Sequence, residues 1–433
     1  MLRRPLSPSV IGSVNPFVAS NRSACMNILY MRTIPIDPVR GGIGRNTTTQ
    51  ANYFEEKLGY KTWYLSSQPD ETMQTDVRRQ FYLPVIGQEN ACDPDNVEFF
   101  KNFLKEHKID VVINQNGIST INTAPRNFNR LAFHCRSVGV KLLSVLRGSI
   151  KSHIVHTRYH RHAAIKRRHL GFAAPLLSLG IVQKILLARD IRRRGEHFRD
   201  LCQNSDRVVL LSEQFKPELA EYLGTKECPA NVIAIPNPYP FAEIGAVDLS
   251  RKKKEILFVG RFDNPPYKRV DLAVRIWAKL FRDFPDWQFR MVGGGPELNN
   301  TKELAKKLKA ERIIFEGFKP SEEFYKEASI LMMTSVSEGF GMVLVEAQGA
   351  GCVPFAFKSY ASVTDIIDDG KNGVLVKPFD CNLYAKKLAS LMRNDALRHD
   401  MAVNAIEKAK EFSTDKIYGK WLAVLDSLLS QKT

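Results

Sequence analysis

From Met26 onward the chain alternates between two kinds of stretch. Short runs rich in β-branched, aromatic and aliphatic residues are separated by longer ones whose apolar positions recur at helical spacing. The short runs predict strands at 27–31, 60–66, 110–114, 140–146, 206–212 and 231–235, and again at 255–260, 287–292, 312–316, 329–334, 352–357 and 373–376. Apolar strands divided by helical segments are the pattern of parallel sheets buried on both faces. Two such series predict an α/β protein of two doubly wound, Rossmann-like domains facing a central cleft. Ligands of such sheets bind beyond the carboxyl ends of the strands, so the cleft is the expected site.

The joint between the two series falls at PNPYPF (236–241) and the basic RKKKE (251–255), where prolines and charge suit an exposed connection. The division expected is an N-terminal domain over 26–240, a linker over 241–254, a C-terminal domain over 255–412 and a last helical segment over 413–433. Residues 1–25 open on a basic pair but lack a sustained apolar region, so they read as a disordered tail or a start-site artefact.

Composition changes this picture in one respect. At 433 residues, with 44% hydrophobic and 25% charged residues, the chain is an ordinary globular protein with room for two or three cores. Its net charge of +17 is not ordinary, and it is unevenly placed. Residues 147–199 hold 13 Lys/Arg against two acids, and six of the nine histidines. There the apolar GFAAPLLSLGIV (171–182) lies between the basic clusters KRRH (166–169) and RRR (192–194). This is the pattern of an interfacial anchor on an anionic membrane, and equally of a solvated cationic helix packed on its domain. A pI near 9.5 keeps nucleic-acid binding open as a separate class.

Other classes lack their parts. The seven cysteines form no CxxC pair or other metal spacing and read as reduced thiols of a cytoplasmic protein. No run of 18 apolar residues occurs, and HExxH, GxSxG and GxxxxGK[ST] are absent. The acidic CDPDN (92–96) directly precedes a helical run and reads as a helix cap.

The chemistry concentrates in VSEGFGMVLVEAQGAG (336–351). Glu346 lies inside an apolar helical run, where an ionised carboxylate needs a partner. Glu338 stands in the glycine turn before that helix, whose first amides form an anion site at the sheet edge. A vicinal diol such as a ribose would satisfy Glu346, and so would a Lys or Arg from elsewhere in the chain. In ILFVGRFDNPPYKRVDLAVRIWAKLF (256–281), Arg261 ends a strand while Lys268 and Arg269 begin a helix. Cations there oppose the helix dipole by about 0.3–1 kcal/mol each, a conflict that a diphosphate between Arg261 and Lys268 would remove. Gly41, Gly42 and Gly44 of RGGIGRN, and more weakly Gly293 of MVGGGPEL, would let backbone amides approach a phosphate.

Taken together, these residues resemble the retaining, nucleotide-sugar-dependent glycosyltransferases of the GT-B fold in family 4, the glycosyl transferases group 1, of the bacterial surface-polysaccharide type. The resemblance rests on the E-x₇-E signature EGFGMVLVE (338–346), on VGR followed by Lys268, and on VGGGPEL, IIFEGF, EAQGAGCVPFAF and DDGKNGVLV. It runs almost continuously over 256–378, and in the N-terminal half it rests chiefly on GGIGR (41–45). It implies a UDP-sugar or GDP-sugar donor, no cofactor and no metal, and retention of anomeric configuration. Glu346 would hold the ribose and Glu338 the sugar hydroxyls. Gly339, Phe340, Gly341, Met342 and Val343 would line the donor, and Arg261 and Lys268 would steady the departing diphosphate. The acceptor implied is a lipid-linked or polysaccharide precursor at the cytoplasmic face of a membrane, with no nucleic acid as partner. A GT-B enzyme that epimerises nucleotide sugars is the alternative. Two positions depart from the family: Arg269 follows Lys268 where relatives often have Gly, and SVLRGS places Arg147 where many members carry a sugar-contacting His.

Overall fold

The computed structural model describes residues 25–38, 41–73, 77–87, 89–116, 123–151, 180–263 and 267–430. The expectations for residues 1–24 and for the apolar and basic stretch 152–179 lie outside the described residues.

Two sheets, each entirely parallel, carry the fold. The first has seven strands: β1 (Asn27–Met31), β2 (Lys61–Ser66), β3 (Gln80–Tyr82), β4 (Val111–Asn114), β5 (Lys141–Leu146), β6 (Arg207–Leu210) and β7 (Val232–Ala234). Their order is β3-β2-β1-β4-β5-β6-β7, reversing direction at β1 as in a doubly wound sheet. The helices between them are α1 (Gly41–Leu58), α2 (Pro94–Glu106), α3 (Thr123–Phe133), α4 (Gly180–Asn204) and α5 (Phe215–Leu223).

The second sheet has six strands: β8 (Lys253–Val259), β9 (Gln288–Val292), β10 (Ile313–Gly317), β11 (Ala328–Met333), β12 (Val353–Phe357) and β13 (Val374–Val376), in the order β10-β9-β8-β11-β12-β13. With it run α6 (Val270–Trp277), α7 (Leu298–Lys307), α8 (Glu322–Glu327), α9 (Met342–Gly349), α10 (Val363–Ile366), α11 (Cys381–Arg393), α12 (Asp395–Ala409) and α13 (Thr414–Leu429).

Strand periodicity explains why both sheets are covered on both faces. On β1, Ile28 and Tyr30 enter one apolar cluster while Leu29 and Met31 enter another. On β8, Ile256 and Phe258 face one core and Leu257 the opposite one. One cluster joins the two domains: Leu146, Leu210 and Tyr239 pack in the same body as Phe340, Leu344, Tyr360 and Phe412. Helix α13 returns from the second sheet to the first, burying Ile417, Trp421, Leu422 and Leu425 beside Ile28 and Tyr30 of β1. Its Tyr418 also packs on the Tyr53 ring of α1.

Strand β3 is the element that the sequence pattern does not predict. It is an edge strand of three half-buried residues, too short and too polar to stand out. The cap at Asp93 is as expected: its carboxylate accepts from the Asp95 amide at 3.0 Å at the start of α2.

Candidate active site

Two loops at the carboxyl edge of the second sheet are tied together by backbone and hydroxyl contacts. Just past β11, the Thr334 hydroxyl donates to the carbonyls of Lys268 and Arg269, both at 2.9 Å. Two residues on, the Val336 amide donates to the Tyr267 carbonyl at 2.9 Å. This tie brings Lys268, which precedes α6, against the turn that carries Glu338. The Lys268 ammonium meets Glu338 Oε1 at 2.6 Å.

Arg261 stands apart from this pair. Its side chain is 79% exposed and its nearest carboxylate is Asp263, at 3.2 Å. Arg269, in the left-handed region at φ 48°, grips Asp271 at 2.7 Å. Arg261, Lys268 and Arg269 therefore each meet a carboxylate of the protein, which relieves the conflict with the helix dipole that the sequence exposes.

After the Glu338 turn the chain enters α9 through Gly341, at φ +103°. A side chain there would be strained, and a β-carbon would lie 2.7 Å from the Tyr360 hydroxyl. No side chain caps this helix among the described residues, so the Met342 and Val343 amides face the cleft edge with the positive end of the dipole. Phe340 differs from its neighbours: its ring is buried edge-on against Phe412 in the interdomain core, so it has only backbone to offer a ligand.

Glu346 is buried at 3% exposure on the fifth residue of α9. Its Oε1 accepts from Arg45 at 2.9 Å, and its Oε2 accepts from the Tyr325 hydroxyl at 2.8 Å. Arg45 comes from the other domain, in the first turns of α1. Burial, reinforced by the Glu346 charge, raises the Tyr325 phenol far above its ordinary value, so it serves as a neutral donor.

The glycines fall into two groups. Gly41 and Gly42 open α1, at its exposed start. Gly44 lies against the Asp37 carbonyl, where a β-carbon would sit 1.9 Å from the oxygen. That contact holds the first turn of α1 against the loop that follows β1. Gly293, at φ +141°, is needed for a close turn against Gly260, and its amide donates to the Gly317 carbonyl at 2.8 Å. That amide is already engaged within the fold.

Across the cleft, a β-carbon on Gly339 would lie 2.4 Å from the Arg147 carbonyl oxygen. The first sheet thus touches the second domain beside Glu338. Arg147 directly follows β5, and its side chain donates to Gln115 Oε1 and Asn237 Oδ1, both at 2.7 Å. Arg45, Arg147, Gln115 and Tyr325 are the site residues to which sequence reasoning gave no individual role. The signal for Arg45 was the need of Glu346 for a partner, but nothing in the sequence singled out one cation among 63.

Among the described residues no three His, Cys, Asp or Glu side chains are grouped to hold a metal, and no helix is long and apolar enough to cross a membrane. A separate cavity of about 300 Å³, lined by Lys252, Ser329, Asp395 and His399, opens at the amino ends of β8 and β11, away from this chemistry.

Residues 242–408 match the family described as Glycosyl transferases group 1. The chain is 32% identical over 231 residues to an exopolysaccharide phosphotransferase of Streptomyces coelicolor, matching 52% of this chain and 24% of that one. It is 26% identical over 392 residues to a D-inositol 3-phosphate glycosyltransferase of Corynebacterium efficiens, matching 81% of this chain and 90% of the relative. The chain spans less than two thirds of the length of the first curated relatives it matches. In structure it is similar to the pneumococcal O-GlcNAc transferase GtfA in complex with UDP and GlcNAc, with a TM-score of 0.66 at 13% identity, over 94% of this chain and 100% of that one. Residues 242–408 thus carry the sequence elements of the glycosyl transferases group 1 family, and the two parallel sheets share the GT-B fold of the structures to which the chain is similar.

Proposed function

We propose that this protein is a retaining glycosyltransferase, moving a sugar from a nucleotide diphosphate to a lipid-linked or polysaccharide-precursor acceptor. The observation that carries the proposal is the placement of two carboxylates, Glu338 and Glu346, eight residues apart around an uncapped helix N-terminus. Each is held by a cation that a donor can replace.

In this reading Glu346 exchanges Arg45 for the ribose hydroxyls of the donor and keeps Tyr325 as its second partner. Lys268 leaves Glu338 for the diphosphate, which Arg261 and the Met342 and Val343 amides also approach. Glu338, released, accepts from hydroxyls of the transferred sugar. The bond between the anomeric carbon and the phosphate oxygen breaks as negative charge collects beside Lys268 and the helix terminus. The acceptor oxygen bonds to the anomeric carbon on the same face, and its proton passes to the departing phosphate. Retention then needs no separate protein base. The pneumococcal relative, solved with UDP and GlcNAc, makes UDP-sugars the first donors to test. The exopolysaccharide phosphotransferase relative supports a surface-polysaccharide precursor as acceptor. Residues 147–199, with their excess of cations, would bring the protein to an anionic membrane at its cytoplasmic face.

The test is transfer from UDP-glucose, UDP-GlcNAc or GDP-mannose to lipid-linked sugar acceptors, with the product's anomeric configuration read by NMR. An α-linked product from an α-donor is expected. An inverted product, or wild-type turnover by Glu338→Ala, would overturn the reading.

A further inference from the structure

We infer that Arg147 and Gln115 form a subsite for an anionic group, a carboxylate or phosphate, on the sugar handled at the catalytic junction. The inference deepens the proposed glycosyl transfer and rests on it.

Arg147 is a partly buried cation whose hydrogen-bond partners are neutral amides. Among the described residues it forms no ion pair. A guanidinium has five N–H donors, and only the Nε and Nη1 bonds to Gln115 and Asn237 occupy it. Burial lowers its pKa to about 10, with Tyr418 and Tyr30 opposing and the positive charge of Arg32 acting in the same direction. It remains charged at neutral pH, in a setting that supplies no countercharge.

Gln115 completes the arrangement. It directly follows β4, the neighbour of β5, and is 1% exposed. Its Oε1 accepts from Arg147 while its Nε2 has no partner. A buried amide donor without a partner is costly, and an anion on Arg147 would supply the acceptor it lacks.

Placement decides which part of the substrate is meant. Both residues follow the carboxyl ends of adjacent central strands, where ligands of doubly wound sheets bind. The Arg147 carbonyl also lies against Gly339, next to Glu338. Through its backbone Arg147 therefore borders the Glu338 turn, the sugar end of the proposed site. A neutral hexose leaves the guanidinium unmatched, whereas a uronic acid or a phosphorylated sugar pairs with its planar fork. The anion can come from the donor sugar or from the acceptor.

The test compares the intact protein and its Arg147→Gln and Arg147→Lys variants by calorimetric titration. The probes are UDP, UDP-glucose and UDP-glucuronate, with GDP, GDP-mannose and GDP-mannuronate as the parallel series. At saturating nucleotide, methyl glucuronoside is compared with methyl glucoside. A donor anion predicts that the wild type binds the uronate donor about 10–100-fold more tightly than its neutral counterpart, the range of a charge-assisted hydrogen bond. Arg147→Gln would abolish that ratio, Arg147→Lys would keep part of it, and the nucleotide alone would bind all three equally. An acceptor anion predicts no donor ratio but selective binding of methyl glucuronoside. The wild-type comparison needs no variant to fold. If nucleotide binds and neither pair is distinguished, the anion subsite is wrong and the glycosyltransferase reading stands. If no nucleotide binds, both fall.

Discussion

Arg45 and Glu346 lie 301 residues apart in the chain and meet across the two domains at 2.9 Å. The carboxylate is buried and the guanidinium is partly open to solvent, so the pair closes over a group that cannot be left alone. A ligand that takes Glu346 Oε1 must displace the Arg45 guanidinium, which the opposite domain supplies. Donor binding would therefore break one of the contacts that join the two domains.

Removing Arg45 tests that displacement. Arg45→Ala leaves Glu346 with only the Tyr325 hydroxyl and should lower unfolding stability by about 1–2 kcal/mol, discounted for the exposure of the arginine. Because the ribose would replace the lost partner, saturating nucleotide should recover most of the deficit. Melting curves with and without UDP measure this, and a deficit unchanged by nucleotide contradicts the exchange.

Tyr325→Phe removes the other partner while preserving the ring. The buried Oε2 loses its donor, at a cost of about 1–3 kcal/mol, and nucleotide affinity should fall because Glu346 is less well oriented. Chemical denaturation and calorimetry on the same variant read the two effects. Unchanged stability would mean that Tyr325 does not hold the carboxylate.

Lys268→Ala and Glu338→Ala should remain folded and lose turnover by about 10²–10³-fold, the scale of a removed electrostatic contact to developing charge. Steady-state kinetics on variants with native circular dichroism check this. Gly341→Ala should fail differently. Strain at φ +103° costs about 1–3 kcal/mol, and the clash with the Tyr360 hydroxyl moves the helix end, so stability and activity fall together.

Acid stability should depend on His197. Burial, with Arg126 acting in the same direction and Asp200 opposing, lowers its pKa from 6.5 to about 4. Its Nε2 lies 3.2 Å from Asn129 Nδ2, a bond that the neutral ring can accept. The unfolded chain takes up the proton near pH 6.5 and the folded one only near pH 4. The stabilisation is complete above about pH 6.5 and is lost as pH falls toward 4, by about 3 kcal/mol. Melting temperature measured across this range should fall less steeply for His197→Gln.

The sheets were legible because a strand buried on both faces announces itself as an apolar run; Ile28 to Met31 and Leu331 to Met333 are of this kind. Strand β3 was not, since a half-buried edge strand carries no such run. At the site, Glu338 and Lys268 were legible from local context, a glycine turn and a helix start. Their direct pairing was not, because it depends on the Thr334 and Val336 ties between two loops. The Glu346 pairing with Arg45 depends on how two domains meet, which no local pattern encodes. Gly293 shows what a local motif omits: a glycine after a strand invites a phosphate-binding reading, and its own amide donates to the Gly317 carbonyl.

The most direct measurement is calorimetric titration of the wild type, Glu346→Ala and Glu338→Ala with UDP and with UDP-glucose, the guanosine series serving if UDP does not bind. The account predicts that Glu346→Ala weakens the nucleotide and the nucleotide sugar alike, by about tenfold or more, while Glu338→Ala weakens only the nucleotide sugar. Wild-type nucleotide affinity in Glu346→Ala, or no nucleotide binding by the intact protein, would contradict it.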